Sequence, residues 1–274
     1  MVIDAHVHFW KYNQTRLDWI DNSMKMLKKD HLPAHLQPTL SRNGVDAVVA
    51  VQAEQAEVET LFLHELAQSN SFIKAVVGWV DLRGDNIAER LEYFRQFPII
   101  KGFRHVLQDE DSSFFSDAAF RHGLTLLGEA GYTYDLLIYP NQLSAAEDLV
   151  RALPGLVFVL DHGAKPAIDK NEIQEWQAGI ENLAALPNVY CKLSGLFTEA
   201  EWKSWSPGDF YPYLDVLFRA FGTERLLFGS DWPVMLLSGI YVQWKSLLEK
   251  YMENHLPEER EAVFGLNART VYNF

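Results

Sequence analysis

Two histidines separated by one residue, His6 and His8, end the segment VIDAHVH near the start of the chain. On a strand, side chains alternate with period two, so both imidazoles are expected on one face, with Asp4 deeper on the same face. Such a pair can clamp a metal ion, polarise a carbonyl, or be two incidental rings. Late in the chain, LLFGS leads into Asp231, followed by Trp232 and Pro233. A proline stops a strand ladder, which puts Asp231 at a strand exit, placed to hold or deprotonate a water. Further polar residues fall at comparable points: Gln52, Arg104, His105, Tyr139, His162, Lys192 and Ser194. Taken singly, each has a plain structural reading. A strand-end histidine such as His162 is more often a satisfied structural residue than a ligand, and Asp135, in mid-run, reads as a buried partner rather than a catalyst.

The elements that must position these residues are short apolar, β-branched runs: VIDAHVH (2–8), DAVVAVQ (46–52), IKAVVGWV (73–80), IIKGFRH (99–105), YTYDLLIY (132–139), LVFVLDH (156–162), NVYCKLSG (188–195) and RLLFGSD (225–231). Helix-like stretches such as EVETLFLHELAQSN (57–70) lie between them. Strands alternating with helices imply parallel βαβ units, and eight of them at this length predict a (β/α)8 TIM barrel, one domain over 1–274. A doubly wound open sheet is the alternative, but no glycine-rich phosphate turn follows the first run. Strands of a parallel sheet are buried on both faces, so ionisable side chains belong in the barrel mouth, at the C-terminal strand ends where barrel enzymes build active sites. The polar residues crowd that end. Chance would scatter them over both.

Composition removes several function classes. A formal net charge of −13 disfavours nucleic acid and anionic lipid as partners, since each requires a basic face. The single cysteine, Cys191, excludes an intrachain disulfide and a cysteine-based zinc cage. Neither a basic-then-apolar leader nor an apolar stretch of membrane-spanning length occurs, so the expected location is the cytoplasm. A homodimer is the default expectation for assembly.

HxH ending the first strand, a histidine ending a later one and an aspartate ending the eighth resemble the amidohydrolase superfamily. Longer segments, among them KGFRHVLQDE (101–110), FVLDHGAKP (158–166), PNVYCKLSGLFTEAEW (187–202) and RLLFGSDWPV (225–234), resemble its lactonase-like branch, related to L-fuconolactonase and L-rhamnonolactonase. The resemblance spans nearly the whole chain. It implies hydrolysis of a sugar-acid lactone, with Asp231 as general base on the attacking water. It further implies that His6, His8 and His162 polarise the carbonyl or hold the water, and that Arg104, His105 and Lys192 stabilise the oxyanion or bind lactone oxygens. Gln52 and Tyr139 would contact ring hydroxyls. Trp202, with Trp205, Phe210 and Tyr211 in the loop 196–213, either stacks on the sugar or packs the loop onto its helix.

Two-metal members of the superfamily need a bridging carboxylate late in the fourth strand and a histidine ending the fifth. Here those strands end in Arg104-His105 and Tyr139-Pro140. One zinc could sit on His6, His8 and Asp231, with or without His162, yet an ester is an easy electrophile, and the expectation is that no cofactor is required. Rival readings are a mononuclear zinc-dependent amidohydrolase or decarboxylase and, last, a non-catalytic sugar-binding barrel. The missing dinucleotide motif disfavours oxidoreductase chemistry.

Overall fold

All eight apolar runs contain a strand in the computed structural model, which describes residues 1–274. The strands are β1 (Ile3–Val7), β2 (Ala47–Val51), β3 (Ile73–Gly78), β4 (Ile100–His105), β5 (Thr133–Leu136), β6 (Phe158–Leu160), β7 (Val189–Leu193) and β8 (Leu226–Phe228). They form one parallel sheet in sequence order. Closure comes just beyond the last strand, where His8 N–H donates to the Trp232 carbonyl at 2.7 Å and Asp231 N–H to the His6 carbonyl at 2.8 Å. The result is a (β/α)8 barrel, and its final seam joins the HxH segment directly to the segment carrying Asp231.

Outside the sheet run α1 (Pro33–Arg42), α2 (Glu57–Ser69), α3 (Ile87–Phe94), α4 (Ala118–Glu129), α5 (Leu143–Ala152), α6 (Gln174–Ala184), the single turn α7 (Leu196–Glu199), α8 (Pro207–Phe221), α9 (Tyr241–Tyr251), α10 (Pro257–Glu261) and α11 (Asn267–Val271). None is long and apolar enough to cross a membrane. A cluster of 62 buried apolar residues fills the space between helices and sheet. A second cluster of 11 residues packs inside the barrel, where Ala47, Val49 and Val51 of β2 meet Ala75 and Val77 of β3. Ala268 and Tyr272 join this inner cluster, so α11 and the residue just after it plug one end of the barrel.

The pairing of β1 with β2 departs from simple alternation. Asp4 pairs with Val48 but Val7 with Ala50, so β1 carries one extra residue between them. A bulge of this kind flips the face on which later side chains emerge. His6 and His8 therefore turn inward while Asp4 turns outward, where it accepts hydrogen bonds from Tyr241 Oη of α9 (2.8 Å) and Ser230 N–H (2.8 Å). The expectation that Asp4 lies below the two histidines on their own face is corrected by this bulge. Burial pushes the Asp4 carboxyl up to about 6. Its role is to tie β1 to the end of β8 and to the helix layer.

Candidate active site

Above the apolar interior lies a layer of buried charge. Arg104 of β4 pairs in register with Asp135 of β5, both inward, and Lys192 of β7 and Asp161, just past β6, complete a set of two cations and two anions. Arg104 Nη1 donates to Asp161 Oδ2 at 2.8 Å. Lys192 Nζ lies 3.0 Å from Asp161 Oδ1 and 3.2 Å from His6 Nδ1, and it also donates to Asp135. Tyr272 Oη reaches both Asp135 oxygens at 2.9 Å from the plugged end. Such a layer is tolerable in the interior only because its charges are paired. Burial works to raise Asp161, but Lys192, His6 and Arg104 together hold its carboxyl well below the usual carboxylate range. Asp135 goes the other way, pushed up by burial to about 6.

On this layer stand the histidines. His8 Nδ1 donates to the Val51 carbonyl at 2.8 Å, leaving a lone pair on its Nε2. That nitrogen lies 3.1 Å from His6 Nε2 and 3.3 Å from Asp231 Oδ1, which is itself 3.7 Å from His6 Nε2. Burial holds His6 well below its ordinary pKa. The three donor atoms trace a triangle close to the edges, about 3.3 Å, of a tetrahedron around zinc with bonds of about 2.0–2.1 Å. His6, His8 and Asp231 thus fit one metal ion. The second grouping, His6 with Asp161 and His162, is already occupied by Lys192 and Arg104, and two cations there oppose a second metal.

His162 follows β6 in an unusual segment. His162, Gly163, Ala164 and Lys165 have φ of 56°, 55°, 60° and 51°, a complete left-handed turn closed by Lys165 N–H donating to the His162 carbonyl at 2.9 Å. The left-handed conformation costs roughly 1–2 kcal/mol for each residue with a Cβ, and strain of this kind concentrates at functional sites. Asp231, with φ of 61°, is held likewise. The His162 ring rests on Gly195, where a Cβ would come within 2.4 Å of its Nδ1. Its Nδ1 lies 2.8 Å from Ser194 Oγ, and the buried Ser194 hydroxyl has no other acceptor in reach. A buried hydroxyl must donate. Burial lowers His162 to about 4, so the ring is neutral, Ser194 donates to Nδ1, and the proton sits on Nε2.

These groups meet at a cleft of about 430 Å³ whose floor carries His8, Arg104, His162, Lys165 and Asp231. Its rim includes Arg16, Trp19, Gln55 and Gln108. The size suits a small molecule, for which sites run roughly 300–1,000 Å³.

The remaining expected residues sit elsewhere. His105 neighbours Arg104 on β4 and therefore points outward, donating from Nε2 to Glu110 Oε1 (2.8 Å) and stacking on Phe114; this corrects its assignment to the catalytic set. Lys192 is fully buried beneath His6 and does not line the cleft, which corrects its assignment as a substrate contact. Gln52 is likewise enclosed, its Oε1 accepting from Arg104 Nη2 at 3.0 Å, so it orients the guanidinium instead of touching a sugar. Tyr139 lies outside the cleft lining, under Lys165. Trp202 donates to the Thr198 carbonyl and packs on the cluster of Trp10, Leu17 and Leu237; its loop neighbours Trp205 and Phe210 pack on Phe197 and Trp244. Loop packing is thus the arrangement found, and Trp202 is corrected as a sugar contact.

Sequence reasoning missed Asp161, Ser194 as a partner of His162, Lys165 and the rim residue Trp19. Charge balance was a usable signal for Asp161, because two strand cations, Arg104 and Lys192, require two strand carboxylates and Asp135 supplies one.

A family model described as amidohydrolase matches residues 3–274. The chain is similar to an L-fucono-1,5-lactonase of Burkholderia multivorans, 41% identical over 282 aligned positions covering 98% of this chain and 95% of that one. A second L-fucono-1,5-lactonase, from Burkholderia ambifaria, is 35% identical over 98% of this chain and 94% of its own. Among solved structures, an amidohydrolase from Burkholderia multivorans with bound zinc superposes with a TM-score of 0.96 at 41% identity, covering 100% of this chain and 99% of that one.

Proposed function

Because the chain belongs to the amidohydrolase family, we propose that it hydrolyses a sugar-acid lactone of the L-fucono-lactone type to the open sugar acid, with Asp231 as general base. The observation carrying this reading is the convergence of an aspartate with two imidazoles, His8 and His162, on the floor of one cleft, His8 Nε2 standing 3.3 Å from Asp231 Oδ1.

The chemistry follows from those atoms. A water held by His8 and Asp231 gives its proton to the Asp231 carboxylate as its oxygen bonds to the lactone carbonyl carbon. The carbonyl oxygen, now carrying the negative charge, accepts from His162 Nε2–H, a donor whose tautomer Ser194 has already set. When the tetrahedral intermediate collapses, the bond from the carbonyl carbon to the ring oxygen breaks. That oxygen takes the proton back from Asp231, and a sugar acid with a free carboxyl group leaves. Arg104 lines the cleft with Nη1 held by Asp161 and Nη2 by Gln52, its Nε–H having no partner within the protein, and it contributes a positive field under the oxyanion.

His6, His8 and Asp231 would hold a zinc ion, which when bound acts as a Lewis acid toward the carbonyl. We assign catalysis to the side chains without requiring it, because an ester needs little activation. A panel of aldonolactones followed by acid release, with and without chelator, tests the reading. Turnover in the chelated enzyme, lost in Asp231→Asn with the fold intact, is expected. Full turnover in Asp231→Asn removes the general base, and zinc-dependent recovery of a chelated, inactive enzyme removes metal independence.

A further inference from the structure

Three cations line the cleft: Arg16, Arg104 and Lys165. Two are committed, Arg16 to Glu54 at 2.6 Å and Arg104 to Asp161 at 2.8 Å. Lys165 makes no ion pair. Its Nζ hovers 5.3 Å from the centre of the Tyr139 ring, with the carboxylates of Glu199 and Asp231 in the neighbourhood but beyond pairing distance. Its backbone is left-handed although its successor, Pro166, biases the preceding residue toward extended conformations. What it achieves is placement: in the turn His162 to Lys165, residues three apart emerge on the same side, and both enter the cleft. The turn is anchored below by the Gly163 carbonyl, which accepts from Trp176 Nε1 at 2.7 Å, and by the fully buried Ala164.

We propose that Lys165 is a ligand-contacting residue whose ammonium binds the carboxylate that hydrolysis creates. The inference rests on the lactonase reading. A neutral lactone enters, and once the new carboxyl group gives its proton to water an anion stands beside the Asp231 carboxylate. His162 is neutral there and the other two cations are neutralised, so Lys165 is the free positive charge that can face the new anion. One of the anion's oxygens, the former carbonyl oxygen, already carries the charge in the tetrahedral intermediate, so the contact strengthens along the reaction and acts on kcat/KM as well as on product affinity.

The test uses Lys165→Asn, because asparagine accepts the left-handed backbone while removing the charge, and Lys165→Arg, which keeps the charge. Calorimetric titration with L-fuconate and with the neutral alditol L-fucitol gives an anion-to-neutral affinity ratio for each enzyme. The ratio should fall about 10- to 100-fold in Lys165→Asn, as expected for loss of one hydrogen bond to a charged group, and stay within a few-fold in Lys165→Arg, with kcat/KM on the lactone following. An unchanged ratio and unchanged kcat/KM in Lys165→Asn overturn the proposal, as does a wild-type enzyme that binds neither ligand. A wild type that hydrolyses no lactone, yet shows the ratio and loses it in Lys165→Asn, leaves Lys165 in place as an anion site and refutes the lactonase reading alone.

Discussion

Replacing Lys192 by methionine keeps the length and apolar stem of the side chain and removes only its charge. Lys192 is wholly enclosed, with Asp135, Asp161 Oδ1 at 3.0 Å and His6 Nδ1 at 3.2 Å around its ammonium. Asp161 keeps Arg104 as a partner after the change, whereas Asp135 keeps only the Tyr272 hydroxyl. Removing one member of a buried pair costs about 3–5 kcal/mol, and two carboxylates affected at once put the loss near the upper end, about 5 kcal/mol. For a chain of this size each kcal/mol moves Tm by about 2–4 °C, which predicts a fall of about 10–20 °C in scanning calorimetry. Adding Asp135→Asn to the same chain removes the stranded charge and should recover about 2 kcal/mol relative to the single variant, a coupling that urea unfolding of the double-mutant cycle measures. A Lys192→Met protein whose Tm stays within about 2 °C of wild type while only KM rises would refute the reasoning and restore Lys192 as a substrate contact.

Ser194→Ala leaves His162 Nδ1 without its donor, freeing the ring to move its proton from Nε2; kcat should fall about 10- to 100-fold, the ring ¹⁵N shifts of His162 should report the change of tautomer, and Ser194→Thr should recover most of the loss. Asp4 has a folded pKa of about 6 against 3.8 for the free group, so its protonated form is favoured by folding: the benefit is complete below about pH 4 and is lost as the pH rises through about 6. The stability difference between wild type and Asp4→Asn should therefore shift by about 3 kcal/mol against wild type across that interval, and a difference that does not change with pH in urea titrations argues that Asp4 is ionised in the fold. Calorimetry on metal-stripped protein should find one zinc site, abolished in His8→Ala and weakened about 10- to 100-fold in Asp231→Asn; binding that survives both changes places the ion elsewhere.

The barrel was legible in the sequence because each strand had to be apolar on both faces, and eight such runs leave few other architectures. Much of the site was legible for the complementary reason: His6, His8, Arg104, His162 and Asp231 are costly inside a sheet unless they face its open end. Depth along the strand was not legible. Lys192 and Gln52 obey the same alternation as the cleft residues but sit one layer lower, and only the three-dimensional stagger of neighbouring strands separates the two layers. His105 could have been set aside from alternation alone, since its neighbour Arg104 claims the interior. Asp4 could not, because the bulge in β1 has no local composition to announce it. The left-handed turn at His162 was hidden as well: one glycine in four residues does not predict four positive φ values in succession.

The hydroxyl of Tyr272, rising from the plugged end of the barrel to Asp135, has a consequence for the order in which the protein comes into being. His6 and His8 leave the ribosome long before Tyr272, yet the carboxylate that balances Lys192 beneath them lacks its last hydrogen bond until residue 272 has left the exit tunnel. The cleft floor thus becomes rigid only after α11 is made, although it holds side chains of β1. A nascent chain stalled anywhere before α11 would carry a recognisable cleft over an unsettled foundation, so activity should appear only once Tyr272 is free to reach Asp135.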